Sequence, residues 1–341
     1  MASLLSSWSS NVLSLPVDYI VPVERRPGNP VSISKDIPVI DLTHATKNDR
    51  VDIVQQLIKA SQDFGLFQVI NHGVSEDLMV DAMNVGKEFF GLPAKDKERL
   101  CDDSTKFGQK GGKLYTSSGQ YSRHEFKYWR DTLQHHFHPL ESYISSWPQK
   151  PTKYRDIIGE YTNQVRKLGM RIMDMLYEGL GLEVEDIEKE FDKYDCAFSI
   201  NHYPACPDPG SALGTGRHCD PTLITLLQQD VYGLQLLNDG QWLGVEPLPN
   251  AFVVNISLLL EVISNGKLKS DMHRVVTNSV CSRTSLAIFV SYPSDGIIQP
   301  AKSLISPTNP PLYRAFQYKD FLEFLFANNA EPEAAMKYLK L

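Results

Sequence analysis

Residues 214–230 read GTGRHCDPTLITLLQQD, a stretch in which polar residues directly precede a run of strand-forming residues. Side chains alternate across a β-strand, so residues two apart point to the same side. His218 and Asp220 are therefore expected to converge, whereas Cys219 faces the other way. Two interpretations are open: an ordinary polar pair at a strand edge, or two of the ligands of a metal ion. The choice depends on the rest of the chain.

The sequence pattern changes after Cys196, where short β-prone runs follow one another at close intervals. Turn signals such as Asn238-Asp239-Gly240 separate them. The runs are CAFSINHY, TLITLLQQ, GLQLL, QWLGVEP, AFVVNI, HRVVTN and TSLAIFVSY. Several short strands with regular turns indicate a sandwich or a barrel, and a jelly roll is one standard way to bury the strand edges.

The chain before Cys196 is predicted to be mainly helical. Apolar residues recur at helical spacing in three segments, which are residues 50–62, 75–93 and 151–182. A short strand is expected at 66–70, and YKDFLEFLF gives a last helix near the end of the chain. Residues 94–122 are rich in glycine, lysine and serine, which suggests a loop or a lid.

Composition and charge exclude several classes of protein. The chain has 341 residues, of which 42% are hydrophobic and 22% charged, as in soluble globular proteins. The formal net charge is −7 and there is no long basic run, so nucleic acid and anionic membranes are not expected as partners. Five widely spaced cysteines without a C-x-x-C pair favour a reduced protein. No apolar segment approaches membrane-spanning length, and we expect a cytoplasmic location.

A third metal ligand can be sought among the nine histidines. His72 closes a strand at a glycine turn and is interpreted as structural. His135, His136 and His138 form a cluster, but no carboxylate or cysteine accompanies them in the sequence. His273 opens a β-prone run and is therefore the best candidate.

Arg283 and Ser285 follow His273 on a strand that reads as largely interior, because TSLAIFV continues it. Both lie on one face by the alternation rule. A guanidinium group with a hydroxyl beside it can bind a buried carboxylate through several hydrogen bonds. The alternative, a surface arginine, fits the apolar flanking residues less well.

These residues together carry a family resemblance. His218-x-Asp220, His273 and Arg283-x-Ser285 resemble the iron and co-substrate signature of the 2-oxoglutarate/Fe(II)-dependent dioxygenases, most closely the plant soluble branch. NHYPACP at 201–207 is similar to the N-x-Y-P-x-C-P segment of that branch, and DFGLFQVINHGV at 63–74 is similar to its N-terminal signature. The likeness runs from about residue 37 to residue 326.

The resemblance implies an α+β fold: a double-stranded β-helix (jelly-roll) core with supporting helices, mostly N-terminal. Four segments are expected. They are an irregular N-terminal segment (1–36), a helix-rich N-terminal region (37–195), the jelly-roll catalytic core (196–310) and a C-terminal helical segment (311–341).

The resemblance also implies the cofactors and the residues that hold them. Fe(II) is expected with 2-oxoglutarate and O2 as co-substrates and ascorbate as reductant. The implied metal ligands are His218, Asp220 and His273. The implied contacts to 2-oxoglutarate are Arg283 and Ser285 at its far carboxylate, with Tyr203 and Asn201 nearby. Two imidazoles and one carboxylate leave coordination positions open on a non-haem iron. Succinate and carbon dioxide would accompany hydroxylation of a substrate.

The substrate is expected to be a small, largely apolar plant specialised metabolite, bound by a monomer. Phe289, Ser291 and Leu258 match positions that often line the substrate side in this family, and further candidates are Tyr115, Phe126 and Tyr128. Such aromatic and aliphatic walls suit an apolar ring system. An alkaloid would need a carboxylate for its cationic amine, with Glu125 and Glu261 the nearest candidates. A phenolic, terpenoid, indole or hormone-like substrate is equally open.

Other functions remain open at this point. The same iron site could catalyse desaturation or oxidative ring closure. A non-catalytic jelly roll that binds a small ligand would belong to a different class, but none of the ligand positions is lost. A zinc hydrolase with the same three ligands would leave Arg283 and Ser285 without a role.

Overall fold

The computed structural model describes residues 4–43, 45, 49–100, 112–118, 126–182 and 193–341. Its helices are α1 (Arg50–Asp63), α2 (Glu76–Gly91), α3 (Ala94–Lys97), α4 (Leu140–Tyr143), α5 (Tyr154–Leu180), α6 (Leu258–Ile263), α7 (Tyr318–Ala327) and α8 (Pro332–Leu339). Short 3₁₀ turns occupy much of the first 25 residues. None of the described helices combines the length and the apolar character that crossing a membrane requires.

The strands form three sheets. Their bounds are β1 (Val39–Asp41), β2 (Leu66–Ile70), β3 (Lys113–Thr116), β4 (Asp131–His136), β5 (Asp195–Tyr203), β6 (Thr215–His218), β7 (Ile224–Gln229), β8 (Leu234–Asn238), β9 (Gln241–Gly244), β10 (Phe252–Ile256), β11 (Met272–Val275), β12 (Arg283–Ser291), β13 (Ile297–Ile298) and β14 (Phe316–Gln317). The large sheet has the order β1-β2-β10-β7-β12-β5-β4-β3, and the small sheet has the order β6-β11-β8-β9. Strands β13 and β14 pair separately.

The large and small sheets share one hydrophobic cluster, which joins the core of the jelly roll. Leu227 of β7, Leu236 of β8 and Val253 of β10 belong to this cluster, as does Ala287 of β12. Because side chains alternate along each strand, the opposite face of the large sheet also carries apolar residues that must be buried.

Two sheets around a shared core, with helices packed outside, confirm the predicted α+β fold with a jelly-roll core.

Three long helices cover the outer face of the large sheet. Helix α1 buries Ile53, Val54 and Leu57 on one stripe, as its apolar spacing predicts. Helix α2 begins after Ser75, whose hydroxyl accepts a hydrogen bond from the Leu78 N–H. Helix α5 ends at Gly181, which has a φ of +74° and adopts the left-handed conformation that favours glycine. The helices thereby hold the large sheet rigid behind the interior of the jelly roll.

The structure corrects the sequence analysis at several elements. Within the predicted loop 94–122, the described residues include helix α3 and strand β3, which pairs with β4 and extends the large sheet. Strand β4 was not predicted, and the residues predicted as a C-terminal helical segment contain two helices, α7 and α8. The segments 101–111 and 119–122 of the predicted loop or lid lie outside the described residues. The four-segment division of the chain stays a prediction.

The contact between α1 and α5 gives a test of the helical layer. A Cβ on Gly179 of α5 would lie 2.8 Å from Cδ1 of Ile58 and 2.9 Å from Cγ1 of Val54, and closer still to Cγ1 of Ile58. We expect Gly179→Ala to lower the free energy of unfolding by about 1–3 kcal/mol, as overpacking in cores does. The shift in the midpoint of denaturant unfolding between Gly179→Ala and the wild type measures this loss of stability.

Gly91, the last residue of α2, is the matched control. A Cβ there would meet nothing within 4 Å. Gly91→Ala should leave the midpoint unchanged or raise it, since alanine is favoured over glycine in helices by up to about 1 kcal/mol. Equal midpoints for the two variants would contradict the described packing of α1 on α5.

Candidate active site

The pairing of β6 with β11 places two histidines directly opposite each other. His218 is the Cα partner of His273 in this antiparallel pair, and their ring centroids are 4.2 Å apart. Asp220 follows β6, and its Oδ1 lies 3.7 Å from Nε2 of His218. One ligand atom from each of the three side chains lies within 4.8 Å of the others. The structure thus brings the three predicted residues into one cluster.

Each member of this cluster has a neighbour that fixes its orientation. Nδ1 of His218 lies 2.9 Å from the Gly216 carbonyl, and Nδ1 of His273 lies 2.9 Å from Oδ2 of Asp271. The Thr225 hydroxyl donates to Oδ2 of Asp220 at 2.6 Å. With Nδ1 of both rings and Oδ2 of the carboxylate in these contacts, Nε2 of both rings and Oδ1 are the atoms expected to bind a shared metal ion. Outer partners of this kind are typical of metal-binding histidines and carboxylates.

The pKa values of the two histidines are shifted in opposite directions. Burial, together with the charge of His273, lowers the pKa of His218 to about 4. Burial also acts to lower the pKa of His273, but the charge and hydrogen bond of Asp271 outweigh it and raise that pKa to about 9. His218 is therefore neutral at neutral pH. A metal ion that binds both rings would displace the proton of His273.

The donor set of the cluster fits a non-haem iron. Two imidazole nitrogens and one carboxylate oxygen are the protein ligands of the facial triad that leaves positions open for co-substrates. The side chains of Asp220 and His273 are 7% and 6% exposed, whereas that of His218 is 28% exposed. The cluster is therefore open to a cavity mainly on the side of His218.

Arg283 occupies a buried position on β12 and makes three side-chain contacts. Its Nε donates to the Val231 carbonyl at 3.1 Å, and its Nη2 donates to Oε1 of Gln229 at 2.8 Å. Nη1 reaches the Ser285 hydroxyl only at 3.4 Å. Nε2 of Gln229 is buried without a hydrogen-bond partner among the described residues. An arginine, a hydroxyl and an amide N–H are thus gathered where an acceptor such as a carboxylate would satisfy them.

Tyr203 and Asn201, the other predicted co-substrate contacts, lie on the neighbouring strand β5. They are the Cα partners of Arg283 and Ser285, respectively. The Arg283 guanidinium lies 5.0 Å from the centre of the Tyr203 ring. Burial acts to raise the pKa of Tyr203, but the charges of Arg283 and Arg130 outweigh it and lower that pKa. Asn201 is engaged elsewhere, since its Oδ1 accepts from the Thr132 hydroxyl at 3.0 Å.

A cavity of about 1000 Å³ adjoins the cluster. Its walls include His218 and five of the predicted substrate residues, which are Phe289, Ser291, Tyr115, Phe126 and Tyr128. Residues 24–27 of the N-terminal segment, part of helix α7 and residues 329–331 between α7 and α8 also line it. The cavity is large enough for a drug-sized molecule.

Two predicted pocket residues lie elsewhere. Leu258 is 2% exposed and packs in the hydrophobic core, because it begins helix α6 on the far side of the Asp220 backbone. Glu261 accepts hydrogen bonds from the Ser270 N–H at 2.8 Å and from the Tyr313 hydroxyl at 2.7 Å. It is a structural residue and does not line the cavity. Glu125 lies outside the described residues.

Several residues of this site were not predicted from the sequence. Thr225 and Gln229 lie on one face of β7, two alternation steps apart, and the sequence pattern TLITLLQQ contains that signal. Asp271 stands two residues before His273, at the same spacing as His218 and Asp220. His72 is structural as interpreted, with Nε2 lying 3.1 Å from the Asn250 carbonyl.

Comparison with known proteins agrees with the geometry. Residues 194–291 match the 2OG-Fe(II) oxygenase superfamily, and residues 37–152 match the family described as non-haem dioxygenase in morphine synthesis N-terminal. Hyoscyamine 6-dioxygenase of Hyoscyamus niger is 42% identical over 349 residues, which cover 100% of this chain and 99% of that protein. The 2'-deoxymugineic-acid 2'-dioxygenase of Hordeum vulgare is 38% identical, covering 94% of this chain and 93% of that protein.

Solved structures extend the agreement to three dimensions. The crystal structure of JOX2 in complex with 2OG, Fe and JA has a TM-score of 0.86 and 32% sequence identity, and covers 97% of this chain and 95% of that one. A rice dioxygenase for auxin oxidation, 24% identical with a TM-score of 0.78, shares the fold and covers 90% of this chain and 100% of that one. The chain therefore belongs to the 2OG-Fe(II) oxygenase superfamily and is a 2-oxoglutarate-dependent dioxygenase, with Fe(II) as its cofactor and 2-oxoglutarate and O2 as its co-substrates.

Proposed function

We propose that this dioxygenase hydroxylates a small, largely apolar plant metabolite that binds in the cavity beside His218. The observation that carries the proposal is the cluster of three ligand atoms within 4.8 Å of one another at the edge of that cavity. The alternative interpretation, an ordinary polar pair of His218 and Asp220 at a strand edge, would not explain why His273 joins them or why each of the three has an orienting partner. The names of two similar plant proteins, hyoscyamine 6-dioxygenase and 2'-deoxymugineic-acid 2'-dioxygenase, also support oxidation of a small molecule.

His218, Asp220 and His273 would hold the iron through Nε2, Oδ1 and Nε2. Bound there with 2-oxoglutarate and O2, Fe(II) supplies the oxidising power for attack on a C–H bond. Asp271 acts as a positioning residue, because its Oδ2 lies 2.9 Å from Nδ1 of His273 and its charge holds that side of the ring. Thr225 fixes the carboxylate of Asp220, because its hydroxyl donates a hydrogen bond to Oδ2.

Arg283 would bind the far carboxylate of 2-oxoglutarate. Arg283 is 2% exposed, and its hydrogen bonds go to neutral groups, with no carboxylate of the described residues in a salt bridge with it. An acid arriving there would accept from Nη1 of Arg283, from the Ser285 hydroxyl and from the unsatisfied Nε2 of Gln229. Tyr203 packs its ring against the guanidinium and limits its movement.

The remaining walls would hold the substrate and exclude water. Phe289 is the Cα partner of Thr225, whose hydroxyl bonds Asp220, so its ring lies one strand away from the proposed iron ligand. Phe126 and Tyr128 pack edge to face at 5.4 Å on another side of the cavity. Aromatic walls close to the cluster favour an apolar ring near the reacting centre and a site with little water.

The reaction is tested by supplying the enzyme with Fe(II), 2-oxoglutarate, ascorbate and air, together with an extract of plant metabolites. We expect a metabolite that gains one oxygen atom, and succinate formed in equal amount. Mass spectrometry follows both products, and a sample without 2-oxoglutarate is the control. Loss of two hydrogens would indicate desaturation or ring closure, and a mass shift that persists without 2-oxoglutarate would contradict the proposal.

The role of Arg283 is tested through 2-oxoglutarate affinity. Loss of one partner of a buried, hydrogen-bonded charge pair costs about 2–5 kcal/mol, so Arg283→Gln should raise the dissociation constant by at least roughly 30-fold. Calorimetric titration with Mn(II) in place of Fe(II) gives the constant without turnover.

Arg283→Lys is the matched variant. It keeps the charge but loses the planar fork, so its affinity should fall between those of the wild type and Arg283→Gln. Unchanged affinity in Arg283→Gln would place the co-substrate elsewhere.

A further inference from the structure

Asp195 lies in the wall of the cavity at the first position of β5. It is the Cα partner of Ser291 on β12, and the next residue on the same face of β12 is Phe289. Its side chain is 43% exposed. The carboxylate therefore faces the space in which a substrate ring stacked on Phe289 would lie.

Within the described part of the chain, the ion-pair contact of Asp195 is with a histidine alone. Nδ1 of His136 lies 3.5 Å from its Oδ1, and that nitrogen is buried without a hydrogen-bond partner. An imidazole is charged only when protonated. Of the other cavity carboxylates, Glu331 pairs with Arg25 at 3.1 Å and Glu323 faces Lys319 at 3.9 Å, whereas Glu24 of the N-terminal segment has no ion pair among the described residues.

Aromatic rings surround this carboxylate. Tyr143 stacks on His136, with ring centroids 5.5 Å apart and an interplanar angle of 28°. Tyr292 and Tyr318 also line the cavity here. Ring faces attract cations, and the attraction is strongest where water is partly excluded. One carboxylate among several rings is a setting that favours a positive charge.

The position of Tyr318 connects this wall to the metal cluster. Its hydroxyl donates to the Pro221 carbonyl at 2.8 Å, directly after Asp220 in the chain. Burial, with a further contribution from the charges of Asp195 and Asp220, raises its pKa. Residues two apart on a strand are about 7 Å apart, so Asp195 lies one such step beyond the row of Phe289 and Thr225. A molecule of two or three rings would span the distance.

Two lysines and five arginines line the same cavity and oppose a cation. Each arginine has another partner: Arg25 pairs with Glu331 and Arg217 with Glu333, whereas Arg26 donates to the Val21 carbonyl, Arg130 to the Thr215 hydroxyl and Arg274 to Oε1 of Gln235. Lys113 on β3 is the Cα partner of Gln134, which is two residues along β4 from His136. Burial lowers the pKa of Lys113, which weakens its positive charge. Lys319 on α7 faces Glu323. Neither lysine lies within ion-pairing distance of Asp195 in the described residues.

We propose that Asp195 binds a protonated amine of the substrate, so that this dioxygenase acts on an alkaloid-like molecule whose ring system lies against Phe289. The inference rests on the proposed function and names its substrate class. Asp195 takes the role that the sequence suggested for Glu261, whose carboxylate instead accepts hydrogen bonds from the Ser270 N–H and the Tyr313 hydroxyl.

The test measures binding, not turnover, on the enzyme loaded with Mn(II) and 2-oxoglutarate. Three probes of similar shape are titrated calorimetrically: N,N-dimethyl-3-phenylpropylamine, which is cationic, N,N-dimethyl-3-phenylpropanamide, which is neutral, and 4-phenylbutyrate, which is anionic. We expect the wild type to bind the amine most tightly. Asp195→Asn should weaken amine binding at least tenfold and change amide binding less than twofold.

Glu323→Gln is the matched control, since it removes another carboxylate from the same cavity. It should leave amine affinity within twofold of the wild type. Tighter binding of 4-phenylbutyrate than of the amine by the wild type would overturn the proposal whether or not the variants fold. A loss of amine affinity in Glu323→Gln but not in Asp195→Asn would do so as well. None of these outcomes depends on oxidation of a substrate, so failure here is distinguishable from failure of the proposed reaction.

Discussion

The site depends on the antiparallel pairing of two short strands, β6 and β11. This pairing sets His218 opposite His273, and the chain that leaves β6 brings Asp220 alongside. A shift of one residue in the register would turn one histidine to the other face of the small sheet. The two strands are only four residues each, so their register is held by neighbours: β8 pairs with β11, and the Gly216 carbonyl and Asp271 fix the two rings.

The large sheet presents the rest of the chemistry in rows. Arg283 and Tyr203 form one row, Ser285, Asn201 and Gln229 the next, and Phe289 with Thr225 lies further along the same strands. The polar rows suit a small dicarboxylate, and the apolar row suits a substrate ring. Helices α1, α2 and α5 cover the outer face and keep the strands in place. The remaining walls of the cavity come from residues at the ends of the strands, from helix α7 and from residues 329–331 that follow it, so we expect these residues to determine substrate specificity.

Alternation along single strands accounts for what the sequence could predict. It placed Arg283 with Ser285, and the pattern of short strands indicated the jelly roll. His218 and Asp220 also converge as predicted, but strand alternation does not explain it, since β6 ends at His218 and Asp220 lies beyond it. Partners across strands were missed, because Gln229, Asp271 and Asp195 acquire their neighbours only through a register that one sequence does not contain. The prediction that Leu258 and Glu261 lie near the substrate was wrong for a related reason, because both belong to helix α6 and neither lines the cavity. Strand β3 was hidden because its glycine- and lysine-rich surroundings resemble a loop.

The central claim is that His218, Asp220 and His273 hold one iron atom in a position that 2-oxoglutarate can reach. Anaerobic titration of the metal-free protein with Fe(II) in the presence of 2-oxoglutarate tests it most directly, followed by visible charge-transfer absorption. We expect a band that saturates at one Fe(II) per chain, is absent in Asp220→Ala, and needs roughly 10- to 100-fold more Fe(II) in Asp271→Asn. No band in the wild type, or a full band in Asp220→Ala, would contradict the account.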